Sequence, residues 1–275
     1  MMNRIPDTLT ADTSGKFTVS IRLRSGGLSF SGYIPSAAGS FFYQEAEFDR
    51  SVSYITSLKD FFYANEFFEW TYNRIHIVPL SSQYTIVPQA LFDEKRKEEM
   101  FAFSFSRPEN ACLFNTLDNE QAVIVFGIDK EVHEFCSRSF INPLFVHPVT
   151  PQLALCKRQS RISPSRRMYG IRHDKALDIF CYEQGHLTLV NTFQAETLDD
   201  ILYYLLFVWR QAGMDQEKDE LYLFDNTGKY NALTHILHTY LRQIRPVEIP
   251  TEAYLLGTDM ARMPADIISL AVCEL

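Results

Sequence analysis

Hydrophobic and polar positions alternate with a period of two over residues 17–24, break at Ser25-Gly26-Gly27, and resume over residues 28–34. Successive side chains of a strand point to opposite faces, so the pattern predicts a hairpin. A third strand is predicted over residues 41–48. The period then lengthens: Val52, Ile55, Leu58 and Phe62 recur at helical spacing behind Asp49, which predicts a capped helix over residues 50–65. Strands are predicted at 74–80 and 84–87, a helix opening at the charged run behind Asp93, and strands at 112–117 and 122–128. Asp129 then caps a helix reaching Phe140.

After residue 143 the program restarts. A strand at 144–149 and a helix at 150–159 lead into a polar, basic connection over residues 157–167. A second meander follows at 168–172, 177–182 and 186–193, with Gln184-Gly185 as one of its turns. Thr197 and Asp200 have the capping-box spacing, and Gly213 closes the helix between them and the next strand. That helix is apolar around most of its circumference, so it must be covered on more than one side. A strand at 220–224, a helix at 228–242, an extended segment at 245–249 and a last helix behind Pro264 complete the chain. Strand, strand, strand, helix, strand, helix therefore occurs twice, the signature of an internal duplication.

Composition narrows the function classes. Aromatic residues make up 14% of the 275-residue chain and hydrophobic residues 46%, enough for two cores and too much for disorder. A net charge of −8 argues against the chain as a whole seeking nucleic acid or anionic lipid. The N-terminal residues lack a signal-peptide core, and no apolar run reaches the length needed to span a bilayer. Five scattered cysteines without a CxxC pair read as reduced thiols, so a cytoplasmic location is expected.

Four segments carry a family resemblance. AVIVFGIDKEVHEFCSRSFINPLFVHPVTPQLALCKRQ (122–159) has the order strand, acidic helix, short strand, crossing helix. DIFCYEQGHLTLVNTF (178–193) looks like a phosphate hairpin with its Glu-x-Gly turn kept, and PADIISLAVCEL from Pro264 looks like a C-terminal helix returning to the first domain. These resemble the actin-like ATPase superfamily, in its pilus-assembly and cell-division branch. TIVPQALFDE (85–94) resembles an uncharacterised Bacteroidetes family, domain of unknown function 3822, to which an actin-like fold is attributed. The expected fold class is α/β, a duplicated actin-like (ribonuclease-H-like) fold with two mixed sheets each flanked by helices. The expected domains are 1–143, joined by the returning helix 264–275, and 144–263.

The resemblance implies nucleotide motifs, and these are eroded. Each phosphate hairpin of the ATPases opens with Asp-x-Gly: the Asp holds the metal or its water, and the Gly admits phosphate to the backbone amides. The aligned positions here are Arg22 and Arg24 in the first half, Ile171 and His173 in the second. The adenosine loop, normally a glycine pair, falls on Asp225-Asn226. Gly26, Gly27 and Gly228 keep an ATP-binding alternative open. A further candidate is an anion patch at Arg158, Arg161, Arg166 and Arg167, within a basic run from Lys157 to Lys175. His235 and His238 share a helix face without a visible third metal ligand. Gly27-Leu28-Ser29-Phe30-Ser31-Gly32 lacks the order and elbow of a nucleophile motif. The dense aromatic run from Phe61 to Tyr72 is divided between core and an exposed docking patch.

The reading is a non-enzymatic scaffold or protein-interaction factor that has lost ATP hydrolysis, with another protein as partner, no membrane, no catalytic residue, no metal and no cofactor. One alternative is a divergent ATP-binding enzyme, ATPase or kinase, using ATP and magnesium. The other is a nucleic-acid-associated factor working through residues 157–175. Fold alone does not choose among them.

Overall fold

Alternation in the first fifty residues becomes a meander, β1 (Thr18–Arg24), β2 (Gly27–Tyr33) and β3 (Phe42–Glu47). The computed structural model describes residues 5–105, 111–160, 164–173, 175–224 and 231–273. Helix α1 (Tyr54–Tyr63) follows, and β4 (Arg74–Pro79) then lies parallel to β1. The α1 cap is Ser53, whose hydroxyl accepts the Thr56 N–H at 3.3 Å; Asp49 instead closes a tight turn by accepting the Ser51 N–H at 2.9 Å. The helix consequently starts four residues later than the pattern suggests.

Next comes a small separate sheet. Strands β5 (Tyr84–Pro88), β6 (Ala111–Leu117) and β7 (Ala122–Ile128) pair antiparallel with β7 central, and α2 (Lys97–Ser104) packs on them through Phe101, Val123 and Val125. Asp129 caps α3 (Lys130–Ser139) by accepting the Val132 N–H at 3.0 Å, as its position predicts. The strand expected at 144–149 is only β8 (Leu144–Phe145), because α4 (Val149–Ser160) has already begun.

The second meander is β9 (Arg167–His173), β10 (Ala176–Glu183) and β11 (His186–Gln194). It leads into α5 (Leu198–Gln211), β12 (Glu220–Phe224), α6 (Asn231–Leu237), β13 (Gln243–Pro246), α7 (Thr251–Leu256) and α8 (Ala265–Val272). Both halves of the Thr197–Asp200 capping box form, and Gly213 at φ +63° ends α5 in the left-handed region that favours glycine.

The sheet orders show the duplication directly. The first five-stranded sheet runs β3-β2-β1-β4-β8 and the second β11-β10-β9-β12-β13. In each, an antiparallel meander meets a parallel extension at the meander's first strand. The fold is a mixed α/β one with both large sheets flanked by helices.

The chain divides into two compact units, residues 1–117, 121–150 and 254–260 in one, 118–120, 151–253 and 261–275 in the other. This differs from the expected division at two points. Asn115 ties the segment after β8 to the first unit: its amide donates to Phe145 O at 2.8 Å, and its Oδ1 accepts from His147 N at 2.8 Å and Thr150 Oγ1 at 3.0 Å. The boundary therefore falls after residue 150 rather than 143. Helix α8 groups with the second unit instead of the first, its terminal Cys273 close enough to Cys156 of α4 to act on that thiol electrostatically.

In the first unit, Val19, Ile21, Phe30 and Ile77 line one face of the sheet and pack with α1 and α3. Most of the aromatic run belongs here: Phe62, Phe67, Phe68 and Tyr72 are buried, and Phe30 stacks on Phe67 with ring centroids 5.2 Å apart. Tyr63 stands out, 70% exposed. The alternate positions Thr18, Ser20, Arg22, Ser29, Ser31 and His76 form a second, polar row of buried side chains. In the second unit, Leu177, Ile179, Leu221 and Leu223 pack under Leu205 and Trp209 of α5. There the alternate row is mostly aromatic, with Tyr169, Phe180 and Tyr182 fully buried.

Two glycines of β2 are required by packing. A Cβ on Gly27 would sit 2.1 Å from Ala46 O of the neighbouring backbone, and one on Gly32 2.7 Å from the Phe42 ring; at Gly26 the nearest atom is Glu47 Oε2 at 3.6 Å. The run from Gly27 to Gly32 is thus a strand shaped by its neighbours. Gly27→Ala is expected to cost about 2–4 kcal/mol in urea unfolding and Gly26→Ala about 1 kcal/mol or less; equal effects would contradict the strand packing.

The His76 ring supplies a pH signature. Burial, aided by the Arg74 charge, lowers its pKa from 6.5 to about 4. The unfolded chain binds this proton near pH 6.5 and the folded chain only near pH 4. The contribution is therefore complete above pH 6.5, declines as pH falls, and is gone below pH 4. Its full size is roughly 3 kcal/mol. Denaturant melts from pH 4 to 7 are expected to show that slope in the native chain and its flattening in His76→Phe; a slope unchanged by the substitution would refute the assignment.

Candidate functional site

Parallel strands present their carboxyl ends at one edge of a sheet, where ligands of open α/β folds collect. In the first unit, β1 and β4 end together, and a cleft of about 400 Å³ opens there. Its walls are the β1–β2 turn (Arg24, Ser25), the exit of β4 (Ser81, Gln83), the β7–α3 junction (Asp129) and Tyr54.

The polar groups of this cleft are largely spent on the protein itself. The Arg24 guanidinium turns onto β3, where Nη2 donates to Glu47 Oε1 at 2.5 Å and Nη1 lies 3.7 Å from Glu45 Oε2. Tyr54 donates to Gly27 O at 3.0 Å, and Ser81 Oγ accepts the Gln83 N–H at 3.1 Å. The α3 N-terminus, otherwise an anion site, is closed by the Asp129 carboxylate. Arg22 is buried between Ser29 of β2 and Val78 of β4 in strand register, and its charge acts on the nearby Tyr43 phenol. Burial and a hydrogen bond to Glu45 hold that phenol above its ordinary pKa, against the pull of Arg22.

The second unit repeats the arrangement with different residues. Ile171 is buried in β9, directly opposite Asp178 of β10. His173 Nε2 lies 2.9 Å from Asp178 Oδ2, an ion-pair separation at an angle unsuited to a hydrogen bond. Thr192 Oγ1 donates to the other carboxylate oxygen at 2.6 Å. A fully buried carboxylate thus exists on the hairpin, one strand away from the aligned position and already engaged. Sequence alignment missed Asp178; the signal was an acid at an inward position of an otherwise apolar strand.

The two sequence markers of a phosphate hairpin here do not coincide. His173 is at the β9–β10 turn, whereas the Glu183–Gly185 turn joins β10 to β11, at the far end of the eight-residue β10. Duplication pairs the β9–β10 turn with the β1–β2 turn, so Ile171 and His173 correspond to Arg22 and Arg24. The Glu-x-Gly turn has no part in that correspondence. Asp225, Asn226 and Gly228 lie outside the described residues, as does Arg161.

The basic connection is neutralised where it is described. Lys157 meets the nearly inaccessible Glu120 carboxylate at 3.2 Å and Gly185 O at 2.5 Å. Burial raises the Glu120 pKa and Lys157 pulls it back. Arg158 pairs with Glu252 at 2.8 Å, Arg166 with Glu183 at 2.9 Å, Arg167 with Glu220 at 2.8 Å, and Lys175 with Glu196 at 3.1 Å. Arg172 donates to Glu196 O at 3.1 Å. The described members of the anion patch, Arg158, Arg166 and Arg167, are thus each in an ion pair with an acid distant in sequence. Among the described residues, no group of three or more His, Cys, Asp or Glu side chains is placed to hold a metal, which leaves His235 and His238 without a third ligand. Among those residues, too, no helix is long and apolar enough to cross a membrane.

Similarity to known proteins agrees with this architecture. A Bacteroides thetaiotaomicron protein with actin-like ATPase fold and unknown function is 31% identical, covering 97% of this chain and 99% of its own, with a TM-score of 0.81. A chain of the PilM–PilN type IV pilus biogenesis complex is 12% identical with a TM-score of 0.57, covering 93% of this chain and 97% of its own. No curated protein matches. Residues 6–244 match the model of DUF3822, protein of unknown function, and with an actin-like ATPase fold the chain belongs to that family.

Proposed function

We propose that this protein is a non-enzymatic, actin-fold interaction factor that has lost ATP hydrolysis and acts on another protein. One observation carries the reading: the four hairpin positions that serve metal and phosphate in a nucleotide-hydrolysing actin fold hold Arg22 and Arg24, Ile171 and His173. Phosphoryl transfer depends on positioning and on charge neutralisation by metal and protein groups. A buried arginine repels magnesium and a buried isoleucine cannot orient its water. Arg24, the cation nearest the cleft, already serves Glu47. The similar chain from a type IV pilus biogenesis complex gives a precedent for this fold working in a protein assembly.

Isothermal titration with Mg-ATP is expected to give no micromolar binding, and a phosphate-release assay no turnover. Arg22→Asp with Ile171→Asp is expected to create none, since the glycines that admit phosphates are also missing. Micromolar affinity with turnover abolished by Gly26→Ala, a substitution the packing tolerates, would establish the enzyme instead.

The same reading leaves the basic connection structural. Fluorescence anisotropy with single-stranded RNA at low salt is expected to show no binding that weakens steeply with salt. Salt-sensitive binding lost on neutralising Arg158, Arg166 and Arg167 would favour the nucleic-acid alternative.

A further inference from the structure

We draw no further inference here: the strongest candidate, the groove between α1 and α3 where Tyr63 and Phe135 lie among Lys59, Glu131, Glu134 and Arg138, carries charges of both signs, and nothing in the structure shows what covers it.

Discussion

The central constraint is that β1 and β9 are each paired on both sides, so no residue of their middle sections escapes burial and each alternate side chain is committed to one of two rows. One row must be apolar, because it meets the helices: Val19 and Ile21 in the first unit, Met168 in the second, where Gly170 lets Leu205 and Leu223 close over the strand. The other row is where the two units diverge. It is polar in the first, with Ser20, Arg22 and His76, and largely aromatic in the second, with Tyr169 and Tyr182. The duplicated scaffold thus has a like packing row in both units and unlike residues in the other row.

In the second unit, this other row is internally satisfied at several points. Tyr182 donates to Leu153 O at 3.1 Å and Tyr169 meets Ser160 at 2.8 Å, so both phenols fasten α4 to the second sheet. Asp178 is held by His173 and Thr192. A buried charge without partners would cost several kcal/mol, and the Thr192 hydroxyl on Asp178 offsets part of that cost. Ion pairs such as Arg167 with Glu220 do the same nearer the surface, with Arg167 also lying over the Tyr222 ring.

Much of this was legible in the sequence. The period-two runs located both meanders to within about a residue, and the caps at Asp129 and Thr197 were read from side-chain chemistry that acts within one helical turn. Local signals failed where the deciding partner is remote. Asn115 moves the unit boundary through residues some 30 positions away. The acids that neutralise the basic connection come from as far as Glu252, so a run of Arg and Lys looked free. The Glu-x-Gly turn was misread because a hairpin motif carries no record of which end of the strand it closes. The hairpin positions could be aligned from the sequence, but the carboxylate on the adjacent strand was visible only once the register Asp178–Ile171 was known.

The account rests on the claim that neither hairpin organises magnesium against a phosphate. Phosphorus NMR of ATP, recorded with the protein in magnesium and again in EDTA, examines that claim without requiring turnover. The account predicts the same ATP shifts and linewidths as in protein-free samples under each condition. A magnesium-dependent displacement of the β- or γ-phosphate signal that appears only when the protein is present would contradict it.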